Sequence, residues 1–360
     1  MVGRAITPEF WAGRSVLITG HTGFKGSWLA LWLSTLGAKV HGLSLDPETH
    51  KNHYDLANLK NLMQGDYRGD IRDMDVVQQA VQDSAPEIVF HLAAQPLVRR
   101  AHAQPVETFA TNVMGTVNIL EALRTAPTLK ACIAVTTDKV YRNVEWAWPY
   151  RETDALGGHE PYGTSKAAAE MAIEAWRDSY FTPRGVGLVS VRAGNVIGGG
   201  DWSVDRLIPD FVRAIEKGSP IVLRNPTAVR PWQHVLEPLK GYMIAAEQLA
   251  KDPQSLSPAL NFGPDFDDFR SVREVVTKAV DIWGEGASWE HQPDESIPES
   301  TLLTLDNSLA RKELLWRPTW SFDDCMEKTF EWFRTASAPS ENIKDLSLSQ
   351  ISEFNLKALS

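Results

Sequence analysis

Residues 15–26 read SVLITGHTGFKG, and this stretch decides the fold of the N-terminal half. Its first five residues are mostly apolar and partly β-branched, which is typical of a buried parallel strand. Glycines 20, 23 and 26 allow a sharp turn, close approach to a phosphate, and packing of a helix on the strand. The stretch therefore predicts a strand–turn–helix unit that binds a dinucleotide pyrophosphate. The GxxGxxG spacing alone is a weak signal, and the flanking strand and helix strengthen it.

Strand-like and helix-like segments continue to alternate along the first half of the chain. We predict strands at 15–19, 38–45, 86–93, 131–136 and 187–191, and helices at 26–36, near 75–83, after Thr111 and Asn112, and from Pro161 to about Tyr180. Alternation at this spacing predicts βαβ units in a doubly wound parallel sheet, an α/β fold of the Rossmann type. Right-handed crossovers would place the strand carboxyl ends, and the ligand, at one edge.

The pattern changes after Arg192, where glycines and prolines separate shorter elements. We expect an NAD-binding Rossmann-like domain at 13–192, with a returning segment near 234–262. A smaller substrate-binding lobe would comprise 193–233 and 263–335. The serine-rich tail at 336–360 either docks as a helix or stays mobile, and the sequence leaves both possibilities open.

The composition is that of an ordinary globular protein, with 43% hydrophobic and 23% charged residues among 360. A net charge of −10 argues against binding to nucleic acid or to anionic membranes. No apolar run approaches the roughly 18 residues of a membrane span, and no signal leader follows Met1. Cys132 and Cys325 show no CxxC spacing, and the nine histidines show no HExxH spacing. We therefore expect a cytoplasmic protein without a metal or a disulfide framework.

Tyr162 and Lys166 lie four residues apart on a predicted helix. Tyrosine has a pKa near 10, so it serves as a base at pH 7 only if its pKa falls by about three units, or about 4 kcal/mol. An ammonium about 4 Å away, at an effective dielectric constant near 20, supplies roughly that amount. We therefore expect Lys166 to lower the pKa of Tyr162. The alternative is an ordinary surface pair.

Three residues at the end of the strand at 131–136 are further candidates for chemistry. Thr137 ends the strand, and its hydroxyl could bridge Tyr162 and a reacting alcohol. Asp138 and Lys139 form an ionisable pair directly after the strand, where loops carry chemistry. Their alternative interpretation is a solvated turn.

Separated segments resemble the extended short-chain dehydrogenase/reductase family as far as about residue 334. The resemblance is carried by residues 19–26, 91–95 and 111–112, by Thr137, and by the pair Tyr162 and Lys166. Residues 137–141 stand where the nucleotide-sugar 4,6-dehydratases of that family carry Thr-Asp-Glu or a close relative. Residues 192–202 and 230–235 resemble the members that act on CDP-hexoses.

The resemblance implies an NAD-dependent lyase that acts on a CDP-hexose. Tyr162 would take the proton of the sugar 4-hydroxyl during oxidation of C4, and Asp138 would protonate the departing 6-hydroxyl before hydride returns to C6. Lys139 departs from the Glu of the dTDP-glucose relatives. It would act either as a neutral base toward the C5 hydrogen or as a cation that stabilises the enolate, with water or another group as the base. A 4-epimerase or reductase of the same family, or a catalytically silent NAD-binding regulator, are the alternatives.

The same resemblance implies the ligand contacts. Asp46 would bind the ribose 2′-hydroxyl or merely start a turn before Pro47, and Asp70 and Ile71 would meet the adenine or form a surface turn. No arginine lies close to Asp46 in the sequence, so NAD is favoured over NADP. The expected NAD contacts are Gly20, His21, Thr22, Gly23, Phe24, Lys25, Gly26, Asp46, Asp70, Ile71, Leu92, Ala93, Ala94, Asn112, Thr136, Tyr162 and Lys166.

The expected substrate contacts are Gln95, Asn195, Arg206 and Arg230. Asn195, Arg206 and Arg230 would face the diphosphate, because a guanidinium binds phosphate through two parallel hydrogen bonds. The alternatives are a turn residue for Asn195 and a solvated surface charge for Arg206 or Arg230. Related enzymes pair through two long helices from each subunit. We therefore expect a homodimer with a four-helix bundle formed by the helices near 106–125 and 161–180. The expected products feed the 6-deoxy sugars of bacterial surface polysaccharides, including O-antigen biosynthesis and lipopolysaccharide.

Overall fold

The computed structural model describes residues 3–284, 286–293, 300–337 and 342–359. Expectations for Met1 and for the parts of the substrate lobe and tail at 285, 294–299, 338–341 and 360 lie outside the described residues. Within the described ranges the helices are α1 (Pro8–Trp11), α2 (Phe24–Thr35), α3 (His53–Leu56), α4 (Met74–Ser84), α5 (Val98–Ala103), α6 (Pro105–Phe109), α7 (Gly115–Leu123), α8 (Pro161–Trp176), α9 (Leu207–Glu216), α10 (Leu236–Leu249), α11 (Val272–Trp283), α12 (Ser308–Leu314), α13 (Phe322–Ala336) and α14 (Ile343–Ala358). The strands are β1 (Ser15–Thr19), β2 (Lys39–Ser44), β3 (Gly65–Arg68), β4 (Ile88–His91), β5 (Ala131–Val135), β6 (Gly187–Ala193), β7 (Val196–Ile197), β8 (Ile221–Leu223), β9 (Val229–Arg230), β10 (Gln233–His234), β11 (Ala259–Phe262), β12 (Arg270–Ser271) and β13 (Trp289–His291).

Seven parallel strands form the main sheet in the order β11-β6-β5-β4-β1-β2-β3. The strand order reverses between β1 and β4, and ligands of such sheets bind in the crevice outside the carboxyl ends of the strands at this reversal. The predicted doubly wound α/β fold is therefore confirmed. The remaining strands form three two-stranded sheets, β7 with β10, β9 with β12, and β8 with β13.

The sheet is buried on both faces. Along β1, Val16 and Ile18 belong to one core cluster, whereas Leu17 belongs to the cluster on the opposite face. The first cluster includes α2, α10 and the C-terminal helices, and the second includes α4 and α7. A strand that is covered by helices on both sides needs apolar residues at successive positions, which explains the run at 16–18.

Two features of this domain differ from the predictions. Strand β3 is not predicted, because its sequence Gly-Asp-Tyr-Arg is short and polar; it lies at the sheet edge and pairs with β2 only. The helix expected after Asn112 begins earlier. Helices α5 and α6 precede a π-helical turn at Ala110–Met114, and α7 follows it directly. Pro105 stands at the first position of α6, where its missing N–H costs no hydrogen bond.

The described part of the tail forms α14, which packs against α13 and α2. Ser347 Oγ lies 3.1 Å from His53 Nε2 and accepts a hydrogen bond from Trp332 Nε1 at 3.0 Å. His53 Nδ1 lies 2.9 Å from the hydroxyl oxygen of Ser27 on α2. A docked helix is therefore the outcome for residues 343–358. Among the described residues, no helix combines the length and the apolar character that crossing a membrane requires.

Candidate active site

The loop between β1 and α2 forms a cradle that only glycine permits. Gly20 has a φ of +78°, and a Cβ there would lie 2.8 Å from the backbone nitrogen of Ala93. A Cβ on Gly26 would lie 2.1 Å from the Gly20 carbonyl oxygen. By contrast, Gly23 is exposed, and a Cβ there would meet only the Gly20 oxygen at 3.3 Å. The N-terminus of α2 has no side-chain cap, so its N–H groups are available to a pyrophosphate, and the loop fits NAD.

The side chains of His21 and Thr22 stabilise this loop through hydrogen bonds to neighbouring residues. His21 Nε2 lies 2.8 Å from Asp66 Oδ1, and the Tyr54 hydroxyl donates to Asp66 Oδ2 at 2.8 Å. The Thr22 hydroxyl lies 2.7 Å from the Ser44 hydroxyl oxygen. Both are buried, so their side chains support the loop and only their backbone can meet a ligand. Asp66 is a supporting residue that the sequence analysis did not identify, because it lies on the unpredicted strand β3.

The acidic residue after β2 lies at a wide surface cavity. Asp46 is 87% exposed in its side chain, and the cavity of about 590 Å³ is lined also by Tyr54, Asp66 and Arg68. Arg68 Nε lies 3.5 Å from Asp46 Oδ1. No arginine is close to Asp46 in the sequence, but the pairing of β2 with β3 brings Arg68, which is 22 positions away, next to it.

Asp70 and Ile71, expected at the adenine, differ in their surroundings. Asp70 accepts hydrogen bonds from the backbone nitrogen and the guanidinium of Arg72, which is the surface turn of the alternative interpretation. Ile71 is buried in contact range of Gly115, where an added Cβ would lie 2.5 Å from the Ile71 side chain. Leu92 and Ala93 lie beside the glycine loop: their backbone nitrogens donate to Thr19, and Ala94 follows them.

The end of β5 carries the ionisable residues that the sequence singles out. Asp138–Val140 forms a short 3-10 turn that begins at Thr137. The Thr137 hydroxyl donates a hydrogen bond to Asp138 Oδ1 at 3.0 Å, and the Thr137 side chain is also close enough to Tyr162 to lower its pKa. Thr137, Asp138, Tyr162 and Lys166 are all buried, and Lys139 is half-buried. The structure therefore brings these residues together at the carboxyl edge of the sheet.

The protonation of Tyr162 differs from the expectation. Burial raises the pKa of Tyr162 to about 12, although the Thr137 side chain and the charge of Arg206 oppose this shift. Lys166 donates a hydrogen bond to the backbone oxygen of Val135 at 3.0 Å, and burial lowers the pKa of Lys166 to about 8. The expectation that Lys166 lowers the pKa of Tyr162 is therefore not met in the free protein, because desolvation of the phenolate outweighs the nearby charges.

Asp138 has the properties of a buried acid. Burial raises the pKa of Asp138, while Lys139, Thr137, Arg230 and Lys25 act in the opposite direction. Its Oδ2 has no hydrogen-bond partner among the described residues. A buried carboxyl oxygen without a partner is costly unless a ligand or a proton occupies it. This oxygen is therefore well placed for proton transfer to a bound substrate.

Cations from separate elements surround this carboxyl group. Burial lowers the pKa of Lys25 to about 8, with Arg206 as the next cause. The charge of Arg206 also acts on Tyr162, and that of Arg230 acts on Asp138. A cleft beside them is lined by Asn195, Asp201, Arg206 and Trp232. Positive charge concentrated here, in a chain with a net charge of −10, suits a diphosphate and a developing enolate.

Two predicted contact residues point their side chains into the protein. Asn112, on the π-helical turn, accepts a hydrogen bond from the Gln95 nitrogen at 2.8 Å and donates to the Gln95 oxygen at 3.0 Å. The Gln95 amide donates to Thr108 and to the Leu97 oxygen. Asn112 is fully buried and Gln95 nearly so, which places both as supports for the loop after β4.

Thr136 is also directed away from the cleft. Its hydroxyl donates to Glu170 Oε1 at 2.6 Å, and Glu170 forms a buried ion pair with Arg192 at 2.8 Å. The sequence analysis did not identify Glu170. Its spacing was available as a signal, because it follows Lys166 by the same four residues that separate Lys166 from Tyr162. Among the described residues, no group of three or more His, Cys, Asp or Glu side chains could hold a metal ion.

The chain belongs to the family whose model is described as GDP-mannose 4,6 dehydratase, which matches residues 17–329. It is 45% identical to the CDP-glucose 4,6-dehydratase of Salmonella typhimurium over 97% of this chain and 98% of that protein. It is also 27% identical to a dTDP-glucose 4,6-dehydratase of Streptomyces niveus, over 91% and 95% of the two chains. Among solved structures, a UDP-glucose 4-epimerase of Thermus thermophilus in complex with NAD aligns with a TM-score of 0.76 and 27% identity, over 89% of this chain and 99% of that one.

Proposed function

We propose that this chain is a hydro-lyase that converts CDP-D-glucose to CDP-4-dehydro-6-deoxy-D-glucose and water. The observation that carries the proposal is the buried carboxyl of Asp138, with one oxygen bonded to the Thr137 hydroxyl and the other without a partner among the described residues, close to the buried Tyr162. The 45% identity to a CDP-glucose 4,6-dehydratase supports the choice of substrate. Elimination of water needs an acid of this kind in addition to the groups that oxidise C4.

NAD is the cofactor, and this chain offers it the glycine loop and the N-terminus of α2. When bound, NAD accepts the hydrogen of C4 with its electron pair and returns it to C6, so the net redox change is zero. We infer that the backbone of residues 20–26 binds the pyrophosphate, that Leu92–Ala94 border it, and that Asp46 with Arg68 lies at the ribose end. Tyr162 and Lys166 complete the set on α8.

Tyr162 removes the proton of the sugar 4-hydroxyl in the first step. Burial keeps its phenol protonated in the free protein, so we infer that it becomes a base only when the cationic nicotinamide is bound and Lys166 retains its proton. The Thr137 side chain acts on Tyr162, and we infer that its hydroxyl orients the reacting oxygen. The 4-ketone that results acidifies the hydrogen on C5.

Asp138 gives its proton to the departing 6-hydroxyl in the second step, because burial keeps this carboxyl protonated to a higher pH than usual. The C5 hydrogen leaves as a proton to Lys139 or, where Lys139 stays charged, to water or another group, and the C6–O bond breaks with release of water. A proton returns to C5 when hydride is delivered to C6. Lys139 is half-buried beside Asp138 and serves this step either as the neutral base or as the cation that stabilises the enolate. Asn195, Arg206 and Arg230 hold the diphosphate.

A 4-epimerase is the second candidate, since the Thermus thermophilus structure that this chain resembles is an epimerase. Epimerisation needs Tyr162, Thr137 and Lys166 but no acid at position 138. The test is mass spectrometry of the products after incubation of the protein and NAD with CDP-, dTDP-, UDP- and GDP-hexoses. Loss of one water from CDP-glucose supports the dehydratase, and a new isomer of unchanged mass supports the epimerase and refutes our proposal.

A homodimer is the proposed assembly. Apolar side chains with exposed fractions from 37% to 82% lie on the helical segments at 105–123 and 161–181: Val106, Phe109, Met114, Met171 and Tyr180. Exposed apolar residues concentrated on two neighbouring helices are typical of a subunit interface. A second copy would cover them by packing its own two helices as a four-helix bundle, with two-fold symmetry.

We also propose the division into an NAD-binding domain at 13–192 with 234–262, and a substrate lobe at 193–233 and 263–335. The pairing of β11 with β6 supports the return of 234–262 to the main sheet. Cys132 and Cys325 are both buried and unpaired, which suits the reducing cytoplasm. The product class, a 4-keto-6-deoxy sugar nucleotide, suits O-antigen and lipopolysaccharide biosynthesis.

A further inference from the structure

We propose that Glu170 and Arg192 are positioning residues that hold the end of β5 and Lys166 in register for the oxidation of C4. The inference rests on the proposed function. Neither residue lines the cleft: both are more than nine-tenths buried, Glu170 on α8 and Arg192 on β6. They therefore act through the groups that contact the ligands.

Four hydrogen bonds fix the position and orientation of the Glu170 carboxylate. Its Oε1 accepts from the Thr136 hydroxyl at 2.6 Å and from Arg192 Nε at 2.8 Å. Its Oε2 accepts from the Ser190 hydroxyl at 2.6 Å and from Arg192 Nη2 at 2.9 Å. The guanidinium thus binds the carboxylate through two parallel bonds, the arrangement with the strongest geometric specificity.

Glu170 fixes Thr136, which lies between Val135 and Thr137 in the chain. Val135 and Thr137 are the residues through which the strand end acts on Lys166 and Tyr162 of α8. Val135 supplies the backbone oxygen that accepts from Lys166 Nζ, and Thr137 carries the hydroxyl that acts on Tyr162 and bonds to Asp138 Oδ1. Displacement of Thr136 would therefore move both partners at once. Tyr162, Lys166 and Glu170 are spaced by four residues on one face of α8, so the helix links all three contacts to the strand.

The opposite end of Arg192 is anchored as well. Its Nη1 donates to the Tyr141 hydroxyl at 2.9 Å and to the Glu152 backbone oxygen at 3.1 Å. The Tyr141 hydroxyl in turn donates to Asn261 Oδ1 at 2.7 Å on β11. A chain of bonds thus runs from α8 through β6 to the edge strand, and the charged pair cannot shift independently of the sheet.

Stability alone does not explain a charged pair at this position. Desolvation of two ions commonly cancels their attraction, and well-packed apolar residues of similar volume are often as stable or more stable. An apolar pair would nevertheless leave the Thr136 and Ser190 hydroxyls without their acceptor. It would also remove a negative charge close to Lys166.

That charge favours the protonated form of Lys166. The groups that act on Lys166 or face it are Glu170 and Tyr162 on α8, His91 on β4, and Lys25 on α2. Burial lowers the pKa of Lys166 and the charge of Glu170 opposes this shift; the charge of Lys166 in turn contributes, after burial and Arg206, to the lowered pKa of Lys25. His91 is buried with a pKa lowered to about 3, so it is neutral near pH 7.

The test compares Glu170→Gln with the double variant Glu170→Gln/Arg192→Met, which removes the unpaired buried cation that the single change leaves. We measure the single-turnover rate of C4 oxidation, seen as reduced nicotinamide, across pH. We expect a loss of at least tenfold in both variants and an alkaline limb displaced to lower pH, furthest in the single variant. The double variant should recover thermal stability without recovering the rate.

Glu237→Gln is the matched control. Glu237 is equally buried, but it accepts hydrogen bonds from the backbone nitrogens of Thr319 and Trp320, away from α8. We expect it to change stability without moving the alkaline limb. A double variant with the wild-type rate and an unmoved limb would overturn the inference.

A second measurement separates this inference from the proposed function. NMR titration of isotope-labelled lysine in the free protein, with Lys166 assigned through Lys166→Arg, reads the pKa of Lys166 without any substrate. The pKa of Lys166 is expected to be lower in Glu170→Gln than in the wild-type protein. An unchanged pKa contradicts the role of Glu170 even if the wild-type protein dehydrates CDP-glucose. Absence of any reaction by the wild-type protein contradicts the proposed function alone.

Discussion

Lys166 Nζ donates its hydrogen bond to the backbone oxygen of Val135 at 3.0 Å, and its direction is set by the strand rather than by Tyr162 one turn earlier. Burial has lowered the pKa of this lysine to about 8, so its charge is present at neutral pH and is lost just above it. The activity should therefore decline on the alkaline side as Lys166 loses its proton. We therefore expect a pH optimum whose alkaline limit is set by the pKa of Lys166.

Tyr162→Phe should abolish turnover while the protein still binds NAD. The substitution removes only the hydroxyl group, and the ring remains packed among buried neighbours. Loss of a general base costs roughly 10²- to 10⁴-fold, so we expect a decrease of that size in the single-turnover rate of C4 oxidation. NAD affinity by calorimetry is the control. Activity near the wild-type level would refute the assignment of Tyr162.

Asp138→Asn should separate the two chemical steps. The amide cannot supply the proton to the 6-hydroxyl, so we expect C4 oxidation within about tenfold of the wild-type rate and elimination reduced by roughly 10²-fold or more. Rapid-quench mass spectrometry measures both. If elimination proceeds unchanged, Asp138 is an ordinary loop residue.

The same variant should be more stable than the wild-type protein at neutral pH. Burial raises the pKa of Asp138 in the folded state above its value in the unfolded chain, so the carboxyl favours folding at low pH and this contribution is lost as pH rises through the folded pKa. Asparagine has no such dependence. Urea midpoints at pH 4 and pH 7 should show the gain at pH 7 only; a gain that is equal at both values contradicts the buried-acid interpretation.

Two glycine variants distinguish folding of the cradle from binding of the cofactor. Gly26→Ala places a methyl group 2.1 Å from the Gly20 oxygen and should lower the melting temperature together with NAD affinity. Gly23→Ala brings its methyl group to 3.3 Å from the Gly20 oxygen, a tight contact that a shift of a few tenths of an ångström relieves, and it should lower the melting temperature much less than Gly26→Ala. Its methyl would nevertheless stand on the open side of the loop, so NAD should bind at least tenfold more weakly, or by about 1.4 kcal/mol. Equal NAD affinities of Gly23→Ala and the wild-type protein would place the pyrophosphate elsewhere.

Met171→Glu should dissociate the proposed dimer. Met171 is 61% exposed on α8, and a carboxylate there would be buried against its symmetry mate. Sedimentation should change from a dimer to the 40.1 kDa chain. Leu356→Glu is the control, because Leu356 is 67% exposed on α14, outside the proposed interface. A monomeric wild-type protein would refute the assembly.

His53→Gln should reduce the sensitivity of the fold to acid. Burial lowers the pKa of His53 to about 3, so the folded state keeps it neutral while the unfolded chain binds a proton below its pKa near 6.5. Stability is therefore lost as pH falls through that value, by about 1.4 kcal/mol per pH unit for this one residue. The slope of unfolding free energy against pH, measured between pH 4.5 and 6, should fall by that amount in the variant. His50→Gln, at an exposed position, should leave the slope unchanged.

Local patterns predicted much of the fold. The strand at residues 15–19 is confirmed to the residue, and the helix that follows it begins two residues before the predicted start, at Phe24. Both follow from short-range features, namely an apolar run and glycine spacing. Strand β3 was not predictable in this way, because an edge strand with one partner needs no apolar face.

In the candidate site, too, local sequence patterns predicted some features and could not predict others. Tyr162, Lys166, Thr137 and Asp138 lie together as their positions at a helix and a strand end indicated. Lys166 donates to a backbone oxygen, and the sequence cannot indicate such a contact because every residue has one. The contact of Asp46 with Arg68 depends on which strands pair in the sheet. The inward direction of the Gln95 amide depends on Thr108, 13 residues away. Such contacts follow from tertiary packing and have no local signal.

The hydrogen bond between His53 and Ser347 joins positions 294 residues apart. Through His53 and Ser27 it reaches the helix whose first turn faces the cofactor. The N-terminal βαβ units can form early during translation, but this helix acquires its final packing only after α14 has emerged from the ribosome. Synthesis of α14 thus sets when the packing of α2 is completed, and a chain truncated before residue 347 would leave α2 incompletely packed.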